Sequence, residues 1–325
     1  MVEAGDIITL TAGAWRVQAP LGGSSHGLLW RAESVPGGTP AALKLVNRAR
    51  MEQALPAQRA AWRACFEAEI AFLRTLQPWD QRHIVRLLDS GLHDGLPALA
   101  LELLDGDLAS YLTTVRGRGG HPGIAQALAW TAQVNGALAK VHQYGWRYLD
   151  LKPANLLVAA GGSILKLADF GTNRPLHDSA AHSYAGTAAW QAPEQFFPDA
   201  AGRYRTDARS DYFALGALLY SLVTGIPLRF CGACADAYRT HGPAGAAALR
   251  ARHDGALPAI LAPDEAALFA AHASVPDTHA LLALLRALLA PRLDDRPRHA
   301  LEISRLLARA AAGLAPAADG LRRAA

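Results

Sequence analysis

The segment Tyr148-Leu149-Asp150-Leu151-Lys152-Pro153-Ala154-Asn155 is followed, nineteen positions after Asp150, by Asp169-Phe170-Gly171. Two carboxylates and a carboxamide thus flank the short apolar runs Leu156 to Ala160 and Ile164 to Ala168, a pattern that lets them converge at one end of a hairpin. Phosphoryl transfer suits such a set. Its transition state asks little covalent chemistry of a protein; it needs oxygen ligands for Mg²⁺, a group to orient the attacking hydroxyl, and cations around the phosphates. Asp150, Lys152, Asn155 and Asp169 together offer an occupant for each of these roles.

Those loops need a scaffold. In the first hundred residues, Gly and Pro clusters about ten residues apart separate the apolar runs Trp15 to Val17, Leu28 to Ala32 and Ala41 to Val46, which predicts antiparallel hairpins in a small sheet. One helix interrupts them, because Phe66, Ile70, Leu73 and Leu76 recur at helical intervals. Beyond Gly106 the pattern is mostly helical: Ile124 to Val141, Asp211 to Val223, Leu281 to Leu289 and Ala300 to Ala312 have the period and length of helices. From Arg229 to Ala280 the sequence turns rich in Ala, Gly, His and Pro, and its periodicity weakens. No internal repeat is visible.

The chain has 325 residues and a net charge of +4, from 32 Lys and Arg against 28 Asp and Glu. Its pI is 9.1, but the basic residues are scattered, so no nucleic-acid footprint is expected. At 51% hydrophobic residues, with Ala prominent, the chain is expected to fold as a globular protein. Three cysteines are too few for a disulfide framework and suit a reducing compartment. Met1 to Gly13 lacks the charged and apolar regions of a secretory signal, and the longest apolar runs, Phe213 to Leu228 and Leu281 to Ala290, are short for a span and carry polar residues. A cytoplasmic protein without membrane or nucleic-acid partners is the expectation. Cys231-x-x-Cys234, with His241 and His253 following, does not have the spacing of a structural zinc site. His83, His142 and His299 read as packing or surface residues.

From about Trp15 to about Leu307 the sequence resembles the eukaryotic-like Ser/Thr protein kinases of bacteria. The resemblance implies an α+β, bilobal protein-kinase-like fold: a small β-rich N-lobe with one main helix over residues 1–103, a larger helical C-lobe over 104–310, and a disordered Ala-rich tail over 311–325. Asp150 matches the catalytic Asp, Lys152 the cation that reaches the transferring phosphate, and Asn155 and Asp169 the ligands of Mg²⁺, for which Mn²⁺ is an alternative. Gly22, Ser24, Gly27 and Leu29 match the Gly-rich loop over the phosphates of ATP. Ala42 and Lys44 match the strand whose Lys contacts the α- and β-phosphates, and Glu69 the helix residue that pairs with that Lys. The resemblance also assigns Leu101 to the gatekeeper position, the backbone of Glu102 and Leu104 to adenine, Asp107 to the ribose, and Leu157 to the nucleotide site.

Downstream, Gly186-Thr187-x-x-Trp190-x-Ala192-Pro193-Glu194 resembles the end of an activation segment, with Thr187 expected to bond Asp150 and Lys152. Arg296 matches the buried partner of Glu194, and Asp211 the residue that caps the catalytic-loop backbone. The resemblance implies ATP- and Mg²⁺-dependent phosphorylation of Ser or Thr in a protein substrate; no motif speaks to oligomeric state. A pseudokinase scaffold would be expected to lack one of Lys44, Asp150, Asn155 and Asp169, all of which are here. A small-molecule phosphotransferase of similar fold would lack the Ala-Pro-Glu segment. Two departures stand out: Ser24 where a second Gly is usual, and Leu149 where many members have an Arg that binds an activation-loop phosphate. The second implies activity without phosphorylation of Thr172, Ser179 or Ser183, with Arg147 and Arg174 as partial substitutes for the missing cation.

Overall fold

The computed structural model describes residues 2–23, 27–178, 186–199 and 201–314, apart from the side chains of 57 and 58. Its strands in chain order are β1 (Ile7–Thr9), β2 (Ala14–Gly23), β3 (Gly27–Val35), β4 (Pro40–Val46), β5 (Leu87–His93), β6 (Leu96–Glu102), β7 (Gly106–Asp107), β8 (Trp146–Arg147), β9 (Leu156–Ala159), β10 (Ile164–Leu167) and β11 (Arg174–Pro175). The first helices are α1 (Arg48–Gln53), α2 (Pro56–Thr75), α3 (Leu108–Gly117), α4 (Ile124–Gln143) and α5 (Pro193–Phe196). They are followed by α6 (Ala208–Thr224), α7 (Arg229–His241), α8 (Gly245–Ala251), α9 (Pro263–Ala273), α10 (His279–Leu288) and α11 (Ala300–Ala312). Two compact units result: Met1–Gly106 with Leu157–Asn173, and Asp107–Leu156 with Arg174–Ala325.

The first unit is built on an antiparallel sheet of order β1-β2-β3-β4-β6-β5. Successive side chains on a strand point to opposite faces, so the register sorts residues by role. Leu29 opposes Lys44, Lys44 opposes Leu99, and Ala42 opposes Leu101, which puts Leu29, Ala42, Lys44 and Leu101 on one face. The alternate residues Ala41, Leu43, Leu45, Ala98 and Ala100 point the other way and bury with Ile8, Trp15 and Val17. Helix α2 packs on β4, β5 and β6; of the stripe that the spacing predicts, Phe66, Leu73 and Leu76 are buried and Ile70 is half-buried, and Phe72, which is not part of it, is buried as well.

Segment 157–173 belongs to this unit because β10 is bonded to the stretch before β5. Val85 N–H donates to Leu167 O and Leu167 N–H to His83 O, each at 2.9 Å. His83 Nδ1 lies 3.0 Å from Leu165 O. Lys166 pairs with Glu102 at 2.6 Å, with both side chains largely buried. Asp169 follows two residues after β10, on a tether held to the sheet at several points.

The second unit surrounds α6, whose residues from Ser210 to Thr224 are almost all buried, against α4, α9 and α10. Among the described residues no single helix is long and apolar enough to cross a membrane. The stretch from Arg229 to Ala280, whose helices the sequence left unplaced, holds α7, α8 and α9. Its signal was weak because the buried stripe of α7 is Phe230, Cys231, Cys234 and Ala237, mostly small residues. Close approach also requires one glycine here: a Cβ on Gly245 would sit 2.6 Å from Ala237 O. The cysteines fill space; burial pushes the Cys231 thiol up to about 12. Among the described residues no group of His, Cys, Asp and Glu is arranged to hold a metal ion, and none of the three cysteines is in a disulfide.

Candidate active site

In the first unit the side chains of Lys44, Glu69 and Asp169 meet. Lys44 Nζ donates to Glu69 Oε2 at 2.6 Å and to Asp169 Oδ1 at 2.8 Å. Its stem is buried, with the ammonium 5.3 Å from the centre of the Phe66 ring. Burial works against the Lys44 charge, but Asp169 and Glu69 outweigh it and hold the ammonium above the ordinary lysine range. Burial pushes the Glu69 carboxyl up, and Lys44 opposes that shift. Space beside the lysine is tight: a Cβ on Gly27 would lie 3.2 Å from Phe66 and 3.5 Å from Lys44 Cε. Asp169 has left-handed backbone (φ 60°), and the Asp169 side chain is 43% exposed. The next residue, Phe170, is anchored against Phe72 with ring centres 4.6 Å apart.

In the second unit a separate cluster forms around Asp150. Thr187 donates its hydroxyl to Asp150 Oδ1 at 2.9 Å. Lys152 Nζ donates to Asp150 Oδ2 at 2.7 Å and to Thr187 Oγ1 at 2.8 Å. Asn155 Nδ2 donates to Asp150 O at 2.9 Å and to its Oδ2 at 3.0 Å. A carboxylate held by three donors has little rotational freedom, so Asp150 presents a fixed acceptor for a hydroxyl proton.

The loop carrying Asp150 is held from α6. Asp211, buried at the first turn of that helix, accepts from Tyr148 N at 2.8 Å and from Leu149 N at 2.7 Å. His142 Nε2 lies 2.8 Å from the same carboxylate and His142 Nδ1 lies 3.2 Å from the Tyr212 hydroxyl. The reading of His142 as a plain packing residue is corrected: its ring ties α4 to the residue that caps the loop. Leu149 has φ 67° and a buried aliphatic side chain. Its carbonyl accepts from Gln195 Nε2 at 2.9 Å. Gly186 (φ 100°) passes so close that a Cβ would stand 2.7 Å from Leu149 O. Glu194 accepts from Arg296 NH1 at 2.7 Å and NH2 at 2.9 Å, and from Ser210 Oγ at 2.7 Å.

A cation paired with a helix carboxylate and a loop carboxylate, and an Asp-Lys-Asn-Thr cluster on a loop capped by a buried Asp, each have chemistry suited to phosphoryl transfer. The family model of the protein kinase domain matches residues 15–253. The chain belongs to the protein kinase family. It is 37% identical over 226 residues to the serine/threonine-protein kinase PkaA of Streptomyces coelicolor, covering 65% of this chain and 39% of that protein. It is 32% identical over 234 residues to PknL of Mycobacterium tuberculosis, covering 69% and 54%. Against human cyclin-dependent kinase 20 it is 30% identical over 211 residues, covering 64% and 56%. The kinase chain thus spans about two fifths to just over half of these relatives' own length.

The remaining residues expected to meet a nucleotide in this kinase lie as follows. Gly22 is exposed at the end of β2 with φ 139°; Ser24 lies outside the described residues. Leu29, Ala42 and Leu101 share the sheet face of Lys44, and Leu157 is half-buried on β9. Glu102 and Leu104 follow at the end of β6, where the Glu102 side chain is engaged by Lys166 and by Arg86 N–H. Asp107 caps α3, accepting from Ser110 N at 2.9 Å and Ser110 Oγ at 2.8 Å. Ser179 and Ser183 lie outside the described residues, as do residues 315–325. Sequence reasoning missed Lys166 and Gln195. Lys166 on a strand whose alternate residues are buried was a signal for a paired charge, whereas nothing local marks Gln195.

Proposed function

We propose that this protein transfers the γ-phosphoryl group of ATP to Ser or Thr hydroxyls of protein substrates in the cytoplasm, with Mg²⁺ and without prior phosphorylation of its activation segment. The observation that carries the reading is the Asp150 cluster: a buried carboxylate oriented by Thr187, Lys152 and Asn155. In the reaction the acceptor oxygen attacks the γ-phosphorus, its proton passes to Asp150, and ADP leaves. Lys152 offsets charge on the phosphoryl oxygens. Lys44, aimed by Glu69, meets the α- and β-phosphates, while Gly22, Ser24, Gly27 and Leu29 cover them. Leu101, Glu102, Leu104, Asp107, Ala42 and Leu157 hold the nucleoside.

The donors for a metal are of one chemical kind. Asn155 directs its amide nitrogen at Asp150, which leaves Oδ1 as its acceptor, and Asp169 offers a half-exposed carboxylate. Oxygen donors of this sort fit Mg²⁺ or Mn²⁺. Bound there, the cation neutralises charge on the phosphates. Serine and threonine are the favoured acceptors because Lys152 follows Asp150 by two residues and Thr187 precedes the Ala-Pro-Glu segment. Independence from phosphorylation rests on Leu149, which brings no cation.

Phosphoamino-acid analysis of a generic basic protein, incubated with labelled ATP and phosphatase-treated enzyme, tests the reading. Phosphoserine or phosphothreonine, lost on chelation and restored by Mg²⁺, is expected. Activity that appears only in a protein phosphorylated on Thr172, Ser179 or Ser183 would refute the phosphorylation-independent part, and phosphotyrosine alone would refute the acceptor class.

A further inference from the structure

Arg147 stands three residues before Asp150 and carries a guanidinium that none of the chemistry above uses. It is 2% exposed, on β8. NH1 donates to Thr206 O at 2.6 Å and NH2 to Asp178 O at 2.9 Å, while its Nε is buried with no hydrogen-bond partner. Burying an arginine is costly unless its donors are used, and here they are spent on main-chain carbonyls at two places far apart in sequence. Asp178 follows the short strand β11, in which Arg174 opposes Arg147 and Pro175 opposes Trp146. Leu176 N–H donates to Gly145 O at 2.7 Å, extending the same attachment. Thr206 immediately precedes Asp207, the N-cap of α6. One side chain therefore bonds the backbone near the start of the activation segment, at Asp178, and the backbone leading into α6, at Thr206.

Burial lowers the Arg147 pKa, as does the neighbouring Arg174, whereas Asp178, Asp211 and Asp207 oppose the shift. Arginine stays ionised at neutral pH in such surroundings. A planar fork with donors fixed in direction can reach two carbonyls at once, which a lysine ammonium on a flexible stem does poorly. The attachment needs no added phosphate, because both terminal nitrogens already have acceptors. Next to it Leu149 is buried and apolar, so no second cation waits for a phosphate at that position.

We infer that Arg147 is a positioning residue that fixes the start of the activation segment, at Asp178, to the chain entering α6, at Thr206, a built-in substitute for anchoring by phosphorylation. The inference rests on the kinase reading above and names the side chain that makes phosphorylation dispensable. It acts on the fit of the acceptor protein rather than on the nucleotide.

The test uses the full chain, phosphatase-treated, as wild type, Arg147→Met and Arg147→Lys. Hydrogen exchange at residues 174–178 and 203–207 is read beside exchange in α4 and α6, and kcat and KM are read for a basic acceptor protein and for ATP. Arg147→Met is expected to speed exchange in both segments together by roughly tenfold or more, from the loss of hydrogen bonds to a charged donor, with α4 and α6 unchanged. It should lower kcat/KM for the acceptor about tenfold while KM for ATP stays within about twofold. Arg147→Lys should restore protection in part. Unchanged exchange in Arg147→Met, or exchange raised equally through α4 and α6, would overturn the brace. If Arg147→Met fails to fold, Arg147→Lys decides: wild-type exchange and wild-type kcat/KM there would overturn it. A wild type that transfers no phosphate would sink the kinase reading, while the exchange comparison alone still decides for or against Arg147.

Discussion

Replacing Arg296 with Met should be among the most damaging single changes to the second unit. Arg296 has a fully buried side chain. Its guanidinium donates to both Glu194 oxygens, and to the carbonyls of Ala290 at 2.8 Å, Arg209 at 3.1 Å and Pro291 at 3.3 Å. Its carbon also rests 5.0 Å from the Phe213 ring centre. A methionine keeps the volume and removes every donor, leaving Glu194 with only Ser210 and three carbonyls without this partner. Loss of one member of a buried pair costs about 3–5 kcal/mol, which for a unit of this size lowers Tm by roughly 6–20 °C. Urea titration followed by circular dichroism and calorimetry would measure it. The double variant Arg296→Met/Glu194→Leu should recover part of the loss, because no charge is then stranded, but not all, since the carbonyls stay unpaired. A single-variant loss below about 1 kcal/mol, the range of exposed pairs, would refute the reasoning.

Gly186→Ala should force Leu149 O to move, because a Cβ would sit 2.7 Å from it on a backbone with φ 100°; strain of about 1–3 kcal/mol next to Asp150 should cut kcat at least several-fold, and an unchanged kcat would contradict the packing. In native protein at pH 8 at most one of three thiols, Cys65, should react with a maleimide, since burial pushes Cys231 up to about 12 and raises Cys234 too; rapid labelling of two thiols would contradict this. Lys44 is held above its ordinary 10.5, so its proton is bound more tightly in the folded state. The stability it adds is present in full below about pH 10 and is lost as pH rises through the folded value. The stability gap between wild type and Lys44→Met in urea titrations should therefore be flat from pH 7 to about 10 and narrow above; a gap that widens with pH would reverse the sign.

The chemistry was legible where it depends on side-chain type at fixed separation. Asp150, Lys152 and Asn155 lie within six residues, so their cluster follows from one loop, and strand alternation alone puts Ala42 with Lys44. What escaped depends on long-range packing. His142 and Asp211 are 69 positions apart and Lys166 and Glu102 are 64 apart; nothing local distinguishes those polar residues from solvated ones. Helix α7 escaped because alanine and cysteine bury without announcing a stripe. Arg147 reads in the sequence as a partial substitute for the cation absent at Leu149, but its bonds to Asp178 and Thr206 depend on loops whose course no periodicity records.

The central proposal is that Asp150 takes the proton of the acceptor hydroxyl during phosphoryl transfer and is not needed to bind the nucleotide. Nucleotide-dependent thermal stabilisation and labelled-phosphate transfer, measured together on wild type and Asp150→Asn with Mg²⁺, test it most directly. The account predicts that Asp150→Asn keeps its stabilisation by ATP within about a factor of two in affinity, while transfer falls by about 10²–10⁴. Transfer by Asp150→Asn at the wild-type rate would contradict it.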